Sequence, residues 1–263
     1  MSEVPLAGGD VNIGENVVVR VDDTVRRPRS DRAEAVHALL RHFESVRFDG
    51  APRFLGLDER GREVLSFVEG EPALKPVPAG DEVVRDLGRL LRRMHDAQAG
   101  FALPAGVAWP ADLPVEATAE SVVCHNDLYW PNVVFREGRP VALIDWDLAA
   151  PAPPLYDVAS AANYWVPLRP DEQAAGWGLP TRGRGARLRL LCDAYGLADD
   201  ERPSLLDVVA RLNALGYEAH RRLGGIERRP GWREMWDAGS GKEIEARIAW
   251  FEAERTNLLA FLR

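Results

Sequence analysis

The chain has 263 residues, 46% apolar and 28% charged, enough to bury a sizeable core in one large domain or in two lobes sharing a cleft. A formal charge of −8 speaks against a general nucleic-acid binder, no apolar run approaches the roughly 18 residues of a membrane span, and Met1-Ser2-Glu3 does not begin a secretory leader. With only Cys124 and Cys192, no disulfide framework is expected, and a cytoplasmic location is.

In chain order, Gly8-Gly9 is a turn signal that also permits a phosphate to approach the backbone. Val17–Val21, the turn Asp22-Asp23 and Thr24–Pro28 predict a hairpin, with Arg26 and Arg27 on opposite faces. Ser30 or Asp31 can cap a helix whose apolar stripe is Val36, Leu39, Leu40 and Phe43, with Glu34 in its first turn. Leu65 to Gly70 is an apolar strand running into Glu71-Pro72, and the proline-rich break after it reads as a junction between lobes. From Asp81 the chain turns helical, with Val83, Val84, Leu87, Leu90, Leu91 and Met94 at helical spacing and His95 as a hydrogen-bonding residue at the end. Phe101 to Glu120 reads as an irregular connection. Leu188–Tyr195, Leu205–Leu223 and Glu243–Leu262 are three further helical stretches.

The stretch from Cys124 to Trp146, CHNDLYWPNVVFREGRPVALIDW, carries the chemistry. Asp127 and Asn132 are separated by four residues, the spacing of a kinase catalytic loop, in which the Asp handles an acceptor hydroxyl and the Asn holds a metal. Val133–Phe135, the turn Arg136–Arg139 and Val141–Ile144 predict a hairpin with Asn132 at its start and Asp145 at its exit. Two oxygen ligands brought to one end of a hairpin suit Mg²⁺, which completes its shell with nucleotide phosphates. Asp127 is the expected catalytic residue. His125 is grouped with it, with the expectation that it braces the loop rather than touching substrate. Asp147 is a candidate second metal or acceptor contact, with a structural role as the open alternative. Cys124 is expected to pack in the core.

HNDLYWPN, followed by LIDWD and then by Asp157 in LYDVA, resembles the aminoglycoside phosphotransferase and choline kinase superfamily. In that family the pattern is HxDxxxxN, a hydrophobic run ending in IDxx, and then a D-[LIV]-A segment. Pro5–Gly9, Ala51–Gly56, Leu65–Glu71 and Leu87–His95 resemble further family segments in order. The resemblance implies an α+β, two-lobed, protein-kinase-like fold. A small antiparallel-sheet lobe would span 1–71, with a hinge near 66–71, and a mainly helical catalytic and acceptor-binding lobe would span 72–263. It implies ATP (or GTP) and Mg²⁺ as the nucleotide and metal, with Asn132, Asp145 and Asp147 on the metal side.

Only Lys75 and Lys242 are lysines, and neither lies in the N-terminal strands, so an arginine must face the phosphates. Arg26 is the expected one, because it sits where the family commonly has Lys or Arg before an x-Pro, and Glu34 is its expected partner. Gly8 and Gly9 would form the nucleotide loop, and hinge backbone groups of Phe67, Val68 and Glu69 would meet the purine. Asp157 is expected to support the catalytic loop by hydrogen bonds.

The implied activity is phosphoryl transfer to a hydroxyl of a small molecule, foremost a cationic antibiotic such as an aminoglycoside or a basic peptide. The alternatives are a kinase of choline, a sugar or a homoserine-like metabolite, and a degenerate nucleotide-binding regulatory module. No nucleic-acid or membrane partner is expected, and the chain is read as a monomer or homodimer. Trp165, Trp177, Trp232, Trp236 and Trp250 are core residues or acceptor-pocket residues, and Glu218, Glu234 and Asp237 would complement an amine-bearing acceptor.

Overall fold

A computed structural model of the protein describes residues 3–6, 18–73, 80–109 and 117–263. Gly8 and Gly9 therefore lie outside the described residues. The first sheet is antiparallel, in the order β1-β2-β3-β5-β4, from β1 (Val4–Pro5), β2 (Val19–Val21), β3 (Thr24–Arg27), β4 (Phe54–Leu57) and β5 (Glu63–Ser66). The β2–β3 hairpin turns at Asp22-Asp23, and Asp22 takes the left-handed φ of 53° that a tight turn asks for. Between β3 and β4 lies α1 (Ala33–Ser45), whose stripe Val36, Leu39, Leu40 and Phe43 is buried. The predicted caps act indirectly: Arg32 is the N-cap residue, and its N–H bonds Ser30 Oγ at 3.3 Å.

After β5 the chain runs through Phe67–Gly70 into β6 (Glu71–Pro72), which pairs not with the first sheet but with the later hairpin. That hairpin is β8 (Val133–Arg136) and β9 (Arg139–Leu143), joined in the order β6-β8-β9. A two-stranded ladder of β7 (Val122–Cys124) with β10 (Ala150–Ala152) closes the loop between them. The remainder is helical: α2 (Asp81–Asp96), α3 (Leu155–Trp165), α4 (Asp171–Gly176), α5 (Arg184–Tyr195), α6 (Arg202–Ala219), a π-helix (His220–Ile226), α7 (Trp232–Asp237) and α8 (Ser240–Leu262).

One continuous core runs from α1 through α2, the hairpin and α3 to α8, and Leu87, Leu91, Met94, Leu128 and Trp165 are sealed from solvent. Helix α2 presses closely on α5. A Cβ on Gly88 would lie 3.0 Å from the Ala194 Cβ and 3.1 Å from the Leu191 carbonyl, so a glycine is needed there. Truncating one of the sealed leucines to alanine would cost about 2–5 kcal/mol. This core fixes the ends of β7, β8 and β9, where the polar residues of the motif gather. No helix among the described residues is long and apolar enough to cross a membrane.

Candidate active site

The loop from His125 to Tyr129 is held from behind by Asp157, in the first turn of α3. Its carboxylate is fully buried and accepts the His125 N–H at 2.9 Å, the Asn126 N–H at 2.8 Å and a bond from His95 Nε2 at 3.0 Å. His95 in turn meets the Tyr195 hydroxyl at 2.8 Å, so α2, α3 and α5 all anchor the loop. His125 is also fully buried. Its Nε2 donates to the Ile144 carbonyl at 2.9 Å and its ring packs 4.7 Å from Trp146, which ties the loop to the end of β9. Enclosed in this way, the ring bears on the loop and on the end of β9.

Two backbone kinks aim the polar side chains. Asn126 has φ 63° and Asp145 φ 64°, the left-handed region that Asn and Asp tolerate better than most residues and that clusters at functional sites. Asp127 follows the first kink. Its Oδ2 accepts the Asn132 Nδ2 at 2.7 Å, and the same nitrogen lies 3.1 Å from the Asp127 carbonyl. Burial pushes the Asp127 carboxyl above its ordinary pKa, and the nearby Asp145 charge adds to this. Cys124, buried beside Asp157, has its thiol pushed well up by burial and by that carboxylate. Its Sγ lies with ligand atoms of His95 and Asp157 inside 4.8 Å, while those two side chains bond each other at 3.0 Å.

Across from the loop stands Arg27, and here the structure corrects the sequence reading. Arg27, not Arg26, faces the motif: NH1 donates to Asp145 Oδ1 at 2.9 Å, NH2 to Asp147 Oδ2, and Nε lies 3.3 Å from Glu63 Oε2. Arg26 turns to the other face and donates to Thr24 Oγ1 in its own strand at 2.6 Å. The expected Arg26–Glu34 pair does not form, because Glu34 is exposed and meets Arg29 at 3.4 Å. The carboxylate for the arginine comes instead from β5, where Glu63 is the direct cross-strand partner of Arg27. Helix α1 contributes His37, whose Nε2 meets Glu63 Oε1 at 2.6 Å. Burial alone would lower the Arg27 pKa, but Asp147, Asp145 and Glu63 together drive it further up. Burial raises Asp147 to about 6, against the pull of Arg27. A pocket lined by Arg27, His37, Glu63, Asp145, Trp146 and Asp147 separates the sheet from the motif.

The segment expected as a hinge, 66–71, has some of its groups already bonded. The Phe67 N–H bonds the Asp23 carbonyl at 2.8 Å, and its ring lies under Arg20 at 3.6 Å. The Glu69 carbonyl takes Arg136, and its exposed side chain points to Arg20. Between them, the backbone groups of Val68 make no hydrogen bond with the described residues. Beyond the motif, Glu218, Glu234 and Asp237 do not converge. Each is exposed and paired with a neighbouring arginine: Arg221, Arg233 and Arg228 respectively. Trp165 is core, whereas Trp177 packs edge-on against Trp130 at 4.7 Å.

Sequence reasoning missed Arg27, Glu63 and His37 as a linked set. The available signal was Glu63 itself, an acidic residue on the same face of β5 as the core-facing Leu65.

Comparison with known proteins fits this geometry. The pattern of the phosphotransferase enzyme family matches residues 103–191. The trifolitoxin immunity protein of Rhizobium leguminosarum bv. trifolii is 37% identical over 209 residues, 78% of each chain. A homoserine kinase of Sinorhizobium fredii (strain NBRC 101917 / NGR234) is 33% identical over 152 residues, 45% of each chain. Among solved structures, a choline/ethanolamine kinase family protein from Mesorhizobium loti shares the fold. Its TM-score is 0.64 at 17% identity, covering 100% of this chain and 92% of that one.

Proposed function

The chain belongs to the phosphotransferase enzyme family and is a small-molecule phosphotransferase, and from that premise we propose that it moves the γ-phosphoryl group of ATP to a hydroxyl of a small acceptor, with Asp127 as the catalytic residue. One observation carries the reading. Asp127 and Asn132 are hydrogen-bonded at 2.7 Å where the β8–β9 hairpin begins, and Asp145 and Asp147, just past its return at the same end, share the Arg27 guanidinium. A general base, a carboxylate pair and a fixed cation thus meet at the junction of the two sheets. The nucleotide would lie between a lobe of residues 1–71 and a lobe of 72–263, with the hinge near 66–71.

The donor set fits Mg²⁺. Asp145 and Asp147 offer hard carboxylate oxygens, and the Asn132 Nδ2 is committed to Asp127, which turns its Oδ1 away from that bond. The guanidinium already seated on both carboxylates marks a place built for positive charge. Bound there, Mg²⁺ would neutralise phosphate charge and help align the γ-phosphate.

The chain's own groups do the rest. Asp127 orients the acceptor hydroxyl and takes its proton as the new O–P bond forms. The bond from the γ-phosphorus to the bridging oxygen breaks, and ADP leaves. Asn132 holds the Asp127 carboxylate in place. With Mg²⁺ on Asp145 and Asp147, the Arg27 fork that now holds those carboxylates would turn to phosphate oxygens, its Nε still beside Glu63, in a geometry that a lysine could not copy.

For the acceptor, the trifolitoxin immunity relative supports an antibiotic or toxin, and the homoserine kinase relative supports a hydroxy amino acid. A cationic acceptor draws no support from Glu218, Glu234 and Asp237, which their own arginines neutralise.

The test is Mg²⁺-dependent ATP consumption against aminoglycosides, basic peptide antibiotics, macrolides, choline, sugars and hydroxy amino acids, with Asp127→Asn alongside. Acceptor-stimulated turnover lost in the variant supports the reading, and equal turnover by both proteins refutes it.

A further inference from the structure

Arg27 uses its guanidinium in two directions. NH1 and NH2 reach forward to Asp145 and Asp147, and Nε lies behind them, 3.3 Å from Glu63 Oε2. The other oxygen of Glu63, Oε1, meets His37 Nε2 at 2.6 Å. Glu63 and His37 are each only 5% exposed. The His37 ring is itself held: it stacks on Phe54 of β4 with centroids 3.6 Å apart and planes 15° from parallel. A carboxylate with one partner can swivel about its last torsion, whose wells are broad. One that is engaged at each oxygen by a different element is fixed. Phe54, His37, Glu63 and Arg27 thus link β4, α1, β5 and β3 in one chain of contacts.

Helix α1 also has a fixed relation to the catalytic loop. Its Phe43 packs 5.6 Å from Trp146, and Trp146 packs 4.7 Å from His125. One helix therefore touches the sheet arginine through Glu63 and the motif through Trp146. Protein kinases join the strand cation directly to a glutamate on a helix. Here the glutamate stands on β5 opposite the arginine, and the helix contributes an imidazole. Packing alone does not ask for one. The neighbouring Val36, Leu39, Leu40 and Phe43 are apolar, and a buried polar ring among them is tolerated only when its hydrogen bond is made.

We propose that His37 is a positioning residue for the nucleotide phosphates: by fixing the Glu63 carboxylate from α1, it sets the direction in which Arg27 presents its fork. This rests on the phosphotransfer reading and gives the helix's part in it to an imidazole, in place of the expected Glu34. The effect is confined to phosphate-bearing ligands. A nucleoside lacks the oxygens that the fork would hold, so its affinity does not depend on where Glu63 points.

Three variants at this one position separate hydrogen bonding from packing. His37→Phe keeps a ring to stack on Phe54 and loses the donor. His37→Gln loses the ring and keeps an amide nitrogen with a reach similar to that of Nε2. His37→Asn loses both, because its amide ends short of Glu63. Each full-length protein is titrated calorimetrically, with Mg²⁺ present, with adenosine, ADP and a non-hydrolysable ATP analogue. The Phe and Asn variants bind ADP and the analogue about 5- to 30-fold more weakly than wild type, as expected on losing a buried hydrogen bond to a charged group, and bind adenosine as before. His37→Gln keeps the wild-type affinities. Should the Phe variant fail to fold, the contrast between Gln and Asn still decides. Weak ADP binding in Gln as well as Asn, unchanged ADP binding in Asn, or an equal loss for adenosine and ADP would overturn the inference, since each makes His37 a packing residue only. Failure of wild type to bind ADP or the analogue would instead remove the phosphotransfer reading, and this inference with it.

Discussion

Replacing Arg27 by methionine tests the central geometry more sharply than any change in the motif. The side chain is 9% exposed and joins three carboxylates, of which Glu63 is buried while Asp145 and Asp147 keep 29% and 21% of their side-chain surface. Removing the partner of a buried ion pair costs about 3–5 kcal/mol, because the remaining charge loses its compensation. Here Glu63 keeps His37 at 2.6 Å, and the two aspartates can turn toward water, so the lower end, about 3 kcal/mol, is the better figure. At about 2–4 °C per kcal/mol for a chain of this size, the melting temperature falls by about 6–12 °C. The matching control is Arg26→Met, whose side chain bonds only Thr24 among the described residues and whose loss should cost about 0.5 kcal/mol or less. Mg²⁺ supplies the distinguishing arm. With the guanidinium gone, Asp145 and Asp147 face each other without a cation, so Mg²⁺ raises the melting temperature of Arg27→Met more than that of wild type. Differential scanning fluorimetry of the three proteins with and without Mg²⁺ reads all of this. Equal destabilisation by the two substitutions, or no Mg²⁺ effect in Arg27→Met, refutes the assignment.

Asp127→Asn keeps nucleotide binding and loses about 10²–10⁴ in turnover, measured as acceptor-stimulated ADP release. Burial raises the Asp127 pKa and the base must be ionised, so kcat/KM falls on acidification with an acid limb above the ordinary 3.8; a limb at or below 3.8 rejects the assignment. Asp145→Ala raises the Mg²⁺ concentration needed for half-maximal activity, and an unchanged requirement removes Asp145 from the metal side. Asp157→Ala strands two backbone N–H groups and His95, costing about 2–6 kcal/mol in urea unfolding; a loss below about 1 kcal/mol would mean that the loop has other anchors.

The catalytic segment was legible because its signals are local. Val133–Phe135 and Val141–Leu143 are short apolar runs on either side of a glycine turn, and the observed hairpin follows them. Helices α1 and α2 announce themselves by a clean apolar stripe. Helix α3 does not, since nine of its 11 residues are buried and no polar face breaks the run, which leaves no period to read. The π-helix is equally silent, because its extra residue per turn leaves no compositional mark.

The arginine is a different kind of miss. Alternation correctly separates Arg26 from Arg27, but which of the two faces the pocket depends on what lies across the strand, and that is a matter of register. In the observed pairing Val25 opposes Leu65 and Arg27 opposes Glu63, so one face of β3 presents an apolar pair toward α1 and then an ion pair. A one-residue slip would have brought Arg26 to that face and exchanged every neighbour with it. Glu63 decides the outcome: a carboxylate buried beside His37 requires a cation, and only the residue directly opposite can supply it without leaving the strand. The pocket-facing arginine is thus selected by a glutamate 36 positions later in the chain, through a contact that only the folded sheet creates.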